Sequence, residues 1–99
     1  MSIQKLVGME LLTAEMLADA FLIHFSGAKV IAYEELRWKT AESTYGGGNY
    51  RLKVASINMD GHWLTIRFEQ GTEVAIGLQP ESGPEAAQVD FGDEIMVFP

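Results

Sequence analysis

Two glycine-bearing turns set between runs of alternating apolar residues restrict this chain more than any other feature. Asn58-Met59-Asp60-Gly61 fits a type I turn followed by a glycine bulge, a common three-residue hairpin loop. Such a loop places Asn58 opposite His62 and, along unbroken strands, Val54 opposite Ile66 and Leu52 opposite Phe68. Glu69-Gln70-Gly71 repeats the device, placing Phe68 opposite Thr72, Ile66 opposite Val74 and Leu64 opposite Ile76. A slip of one residue reverses every side chain, so it matters that both turns give one continuous apolar face. The expectation is an antiparallel meander over residues 28 to 78. Within it, Lys29 to Thr40 reads as a strand broken near Glu34-Glu35, returning through Glu42 to Asn49 to pair with Tyr50 to Ile57.

Upstream, the apolar residues Ala14, Leu17, Ala18, Phe21, Leu22 and Phe25 follow the spacing of one helical stripe. The spacing predicts a helix over about 14–25, with Thr13 as N-cap and Gly27 ending it. His24 then sits in its last turn. Downstream, Pro80, Gly83 and Pro84 mark residues 79 to 93 as a loop, and 94 to 98 as a closing strand. The fold class expected is α+β in a single domain over residues 1–99. One N-terminal amphipathic helix packs on a twisted antiparallel meander of four to six strands, which can curl towards a small open barrel.

The chain has 99 residues, 47% apolar and 21% charged, with 14 Asp and Glu against 7 Lys and Arg. That length supports one core, the apolar content excludes intrinsic disorder, and the carboxylates are too few for an acidic mimic of nucleic acid. The absence of cysteine removes a disulfide framework, a thiolate zinc site and a cysteine nucleophile. The first residues show no leader pattern, and Ala20 to Phe25 is too short to span a bilayer. A cytoplasmic protein without membrane contact is expected.

The charge is unevenly placed. Through Phe68 the seven acids balance all seven bases, and the net charge of −7 belongs to the last third. Glu81, Glu85, Asp90, Asp93 and Glu94 form an acidic segment there. We expect Asp90, Asp93 or Glu94 to meet Arg67, Lys53 or Arg51, within the chain or in a neighbouring copy. The outward face of the meander gathers Arg37, Lys39, Arg51, Lys53, Trp63 and Arg67, with Lys53 opposite Arg67 and Arg67 opposite Glu73. Cations interleaved with an aromatic suit an anion or a single-stranded base, although dispersed cations leave only a weak electrostatic footprint.

Tyr45, Gly46, Gly47, Gly48 and Tyr50 read as a flexible contact loop. It lacks the Lys and Ser/Thr of a phosphate loop and runs into a strand. His24 and His62 have no spaced ligand partners, so no metal, cofactor or catalytic cluster is expected. Met9, Met16, Ile23, Ile57, Met59, Trp63 and Met96 exceed what one helix-on-sheet core absorbs. They favour an association surface, with a homo-oligomer, a dimer first, as the simplest outcome. The leading reading is a non-enzymatic protein-interaction module, a small accessory, inhibitor or immunity-like protein with a protein partner. The alternative is a small-molecule, anion or single-stranded nucleic acid binder centred on Trp63. A third class, an enzyme using His62 with Asp60 or a glutamate, ranks below both.

Overall fold

The computed structural model describes residues 3–33, 35–39, 52–69, 71–78 and 86–98. A single 3-10 turn, Ile3–Leu6, precedes nine strands: β1 Leu11–Met16, β2 Phe21–Phe25, β3 Lys29–Ala32, β4 Leu36–Lys39, β5 Val54–Met59, β6 Trp63–Phe68, β7 Glu73–Gly77, β8 Ala87–Asp90 and β9 Ile95–Phe98. They form a five-stranded sheet, β1-β2-β3-β8-β9, and a four-stranded sheet, β4-β7-β6-β5. Every neighbouring pair is antiparallel. The architecture is all-β, and the α+β expectation is overturned.

The expected helix over 14–25 is the β1–β2 hairpin. Ala14 pairs with Ile23 and Met16 with Phe21, and Leu17 N–H donates to the Ala20 carbonyl to close the turn (2.8 Å). The helical stripe overlapped a strand alternation already present in Phe21-Leu22-Ile23-His24-Phe25. Ile23, off the stripe, is 1% exposed, whereas Leu17, on it, is 45% exposed. Helix propensity in Ala14 to Met16 is a preference of tenths of a kcal/mol per residue. Burying Ile23 and Phe25 while β2 pairs with β3 is worth roughly 1.5–3 kcal/mol per side chain, so tertiary pairing prevails. His24 therefore lies on a strand, and Gly27 lies in the β2–β3 turn closed by Phe25 N–H and the Ala28 carbonyl (2.8 Å).

The meander β5-β6-β7 forms as expected, and its β6–β7 register is the one the turn implied: Leu64 with Ile76, Ile66 with Val74, Trp63 with Gly77 and Arg67 with Glu73. The β5–β6 register differs. Asn58 pairs with Thr65 and Ile57 with Ile66, while Val54 pairs with Phe68 across a bulge between Val54 and Ser56. Asp60 Oδ1 accepts the His62 and Trp63 N–H groups (2.9 and 2.8 Å), and Gly61 takes φ 99. That cap tightens the loop. Val54 and Ile57 differ in parity along the strand, so only a bulge lets both face the core.

The broken strand near Glu34-Glu35 becomes β3 and β4, which enter different sheets. Neither pairs with β5: β3 lies between β2 and β8, and β4 pairs with β7. The loop expected over 79–93 contains β8, whose Ala87 and Val89 are buried beside Val30 and Ala32. Alternating small apolar residues there outweigh the acidic composition.

The sheets join along one seam. Leu11 N–H donates to the Leu52 carbonyl and Val54 N–H to the Met9 carbonyl (2.8 and 2.9 Å), so β1 begins against β5 before bending into its own sheet. The β1 bulge between Leu11 and Thr13 supplies the bend. Between the sheets, Phe25 stacks on Phe68 with centroids 6.3 Å apart, among buried Leu6, Val30, Leu64, Ile66 and Ile76.

Candidate functional site

Opposite the seam the inward faces are incompletely covered. The register turns Ala14 and Met16 to the same face as Ile23 and Phe21, and Leu36 and Trp38 to the same face as Ile76 and Val74. All eight belong on the core side. Yet Met16 is 76% exposed and Trp38 42% exposed, and with Phe21, Leu22, Ile23 and Leu36 they line an open groove of about 310 Å³. Glu15 and Leu22 alternate to the outer face of their sheet, where Glu15 Oε1 meets His24 Nε2 at 3.0 Å, so the side chains turned into the groove are apolar. The groove offers apolar surface between the two sheets.

The outer face of the four-stranded sheet carries four of the expected basic-face residues. Arg37, Lys39 and Arg67 are exposed there, and Trp63 lies opposite Gly77. The guanidinium of Arg37 lies 4.6 Å from the centre of the Trp63 ring and donates to Glu35 Oε2 at 2.7 Å. Arg67 donates to Glu73 Oε2 at 3.1 Å. Gly77 matters because a Cβ there would lie 3.3 Å from Glu35 Cβ, where β4 enters the sheet. Lys53 is not opposite Arg67; the bulge puts Ser56 there, and Lys53 sits at the seam, bridged to Glu10. Arg51 and the loop residues Tyr45, Gly46, Gly47, Gly48 and Tyr50 lie outside the described residues.

Among the described residues Asp90, Asp93 and Glu94 do not meet Arg67 or Lys53 within the chain. Asp90 stands opposite Lys29 on the outer face of the five-stranded sheet, and its Oδ1 accepts the Gly92 N–H (2.8 Å). Glu94 pairs with Lys5 at 3.0 Å, raising the Lys5 pKa, and Lys5 also sits 4.8 Å from the Phe91 ring centre. Asp93 is exposed in the same turn, while Glu81 and Glu85 lie outside the described residues. Asp60, expected beside His62, uses its carboxylate to accept backbone N–H groups, which lowers its pKa. Among the described residues no group of three His, Asp or Glu side chains could hold a metal ion. No described helix is long and apolar enough to cross a membrane.

Sequence reasoning missed the groove, although Met16 was counted among the surplus apolar residues. The signal was the alternation of Phe21, Ile23 and Phe25, which a strand reading turns into an inward row ending at Met16 and Phe21. No family model, curated protein or solved structure matches the chain.

Proposed function

We propose that the chain is a non-enzymatic protein-interaction module, an accessory or inhibitor-like protein whose principal contact is the groove between the β1–β2 hairpin and β4. The groove carries this reading: side chains that the strand registers turn inward remain open to solvent at Met16 and Trp38. A tryptophan and a methionine around a partly enclosed apolar floor are the side chains that anchor protein interfaces. The partner this suits presents an apolar side chain to meet the floor. Self-association into a dimer belongs to the same reading.

The anion or nucleic acid alternative receives less support. Arg37 and Arg67 already have carboxylate partners, and the Arg37 guanidinium lies over the Trp63 ring that would stack on a base.

The test uses Met16→Glu and Trp38→Glu, both exposed positions where substitutions change stability by about 0.5 kcal/mol or less. A partner retained by the full chain is identified, purified and titrated against each variant. Affinity at least about tenfold weaker is expected, while Arg67→Glu on the outer face of the four-stranded sheet leaves it unchanged. Equal affinity for the wild type and both groove variants would sink the reading.

A further inference from the structure

Strand edges differ in how they are protected. An unpaired edge templates another strand unless a charge, a bulge or a covering segment blocks it. The β1 edge has its bulge at Leu12 and the Glu15 carboxylate. The β4 edge carries exposed Arg37 and Lys39. The β5 edge is bulged, bonded at its start to Met9 and Leu11, and touched further along by Gln4, whose Nε2 reaches the Ile57 carbonyl at 3.4 Å. Among the described residues, the β9 edge has none of these. Ile95-Met96-Val97-Phe98 contains no charge, no described strand borders its outer side, and Ile95 and Val97 are each more than half exposed.

The hydrogen-bond phase shows what that edge presents. Phe91 N–H donates to the Glu94 carbonyl (2.9 Å) and Ala86 N–H to the Phe98 carbonyl (2.7 Å), with Val89 paired to Met96. In an antiparallel ladder the bonded direction alternates. Glu94, Met96 and Phe98 therefore turn their backbone groups towards β8, and Ile95 and Val97 turn theirs outward.

We infer that β9 pairs antiparallel with β9 of a second copy of this chain, about a two-fold axis at Met96. This rests on the self-association part of the reading above and goes beyond it in naming the edge and the register. Centred on Met96, Ile95 stands opposite Val97 of the second copy, so the outward N–H and C=O groups of each meet their complements. The occupant follows from this self-complementary register, and charge sets only the orientation. Each copy carries a net charge of −7, and the seam itself is uncharged. Antiparallel pairing sends the two Asp93-Glu94 turns to opposite ends, roughly 13 Å apart at about 3.3 Å per residue. That is beyond the Debye length of about 8 Å at physiological salt, whereas parallel pairing would set the turns side by side. Closing the pair uses up the unguarded edge, so the assembly stops at a dimer and does not extend into a filament.

The full chain is followed by sedimentation over the micromolar to millimolar range. A reversible monomer–dimer equilibrium is expected, tightening as salt rises, because salt screens the repulsion between copies and leaves backbone pairing intact. Val97→Pro removes an N–H that points away from β8, so the dissociation constant rises at least about tenfold while the melting midpoint holds. The chain has no cysteine of its own, which permits a second readout independent of the proline variant's folding. Met96→Cys places two thiols at a non-bonded antiparallel pair, about 4.5 Å between Cα atoms, and oxidises to a disulfide-linked dimer. Ile95→Cys, displaced from its symmetry mate, does not. A dimer that ignores Val97→Pro and crosslinks no better through Met96→Cys than Ile95→Cys overturns the edge assignment but leaves self-association standing. A monomer at every concentration overturns both. Val97→Pro-sensitive binding of a different protein, with no dimer, overturns the second copy as occupant.

Discussion

At Asp60 one carboxylate oxygen accepts two backbone N–H groups, and this fixes the loop that sets the β5–β6 register. Those bonds favour the ionised form and hold the Asp60 pKa below its ordinary value of 3.8. A carboxylate with a depressed folded-state pKa contributes stability above its unfolded pKa and loses it as pH falls through the folded value. Asp60→Ala is therefore expected to lower the urea midpoint near neutral pH. The gap from wild type should close below the usual carboxylate range; a gap constant with pH would show that the charge plays no part. At Trp63 the Arg37 guanidinium already lies over the ring. In a Trp38→Phe chain, nucleotides and oligonucleotides are expected to leave Trp63 emission unchanged. Saturable quenching would restore the anion-binding alternative.

Element by element, the decisive comparison is between Ile23 and Leu17. The strand pairing buries Ile23 and leaves Leu17 exposed in the hairpin turn. Ile23→Ala is expected to cost about 2–5 kcal/mol in chemical denaturation and Leu17→Ala about 0.5 kcal/mol or less; a helix over 14–25 would reverse that order. The β6–β7 hairpin was legible because Glu69-Gln70-Gly71 and the alternation on both sides agree without interruption. The β5 register was not, since a bulge leaves no mark in hydrophobic spacing beyond the parity conflict between Val54 and Ile57. The first hairpin was hidden because residues at i, i+3 and i+4 satisfy a helix while the same segment alternates. Which period prevails depends on what stands opposite, and β3 lies only a turn away. β8 was hidden for a different reason: acidic and proline-rich surroundings masked the short alternation of Ala87 and Val89. Of the expected site, the outward placement of Trp63 and Arg67 and the facing of Arg67 by Glu73 were readable from the β6–β7 turn, but the pairing of β4 with β7 that brings Arg37 and Lys39 to that face, and the Glu35 partner of Arg37, were not. The groove required the hairpin and β4 to be placed in separate sheets.

Across the whole molecule, the surplus apolar residues and the uneven charge resolve differently. Ile23 and Ile57 enter the core, whereas Met16 and Trp38 stand open at the groove. The acidic last third is distributed: Glu73 neutralises Arg67 on one sheet, and Glu94 ties the β8–β9 turn to Lys5. The apolar contact surfaces thus lie apart, the groove between the β1–β2 hairpin and β4 and the β9 edge at the far end of the five-stranded sheet. A molecule with that layout can hold a partner in one while pairing with itself through the other. If a partner sits in the groove, as we propose, Trp38 reports on it. In a Trp63→Phe chain, titration with the purified partner is expected to shift Trp38 emission to shorter wavelength and shield it from a soluble quencher. Unchanged emission and unchanged quenching at saturation would contradict the account.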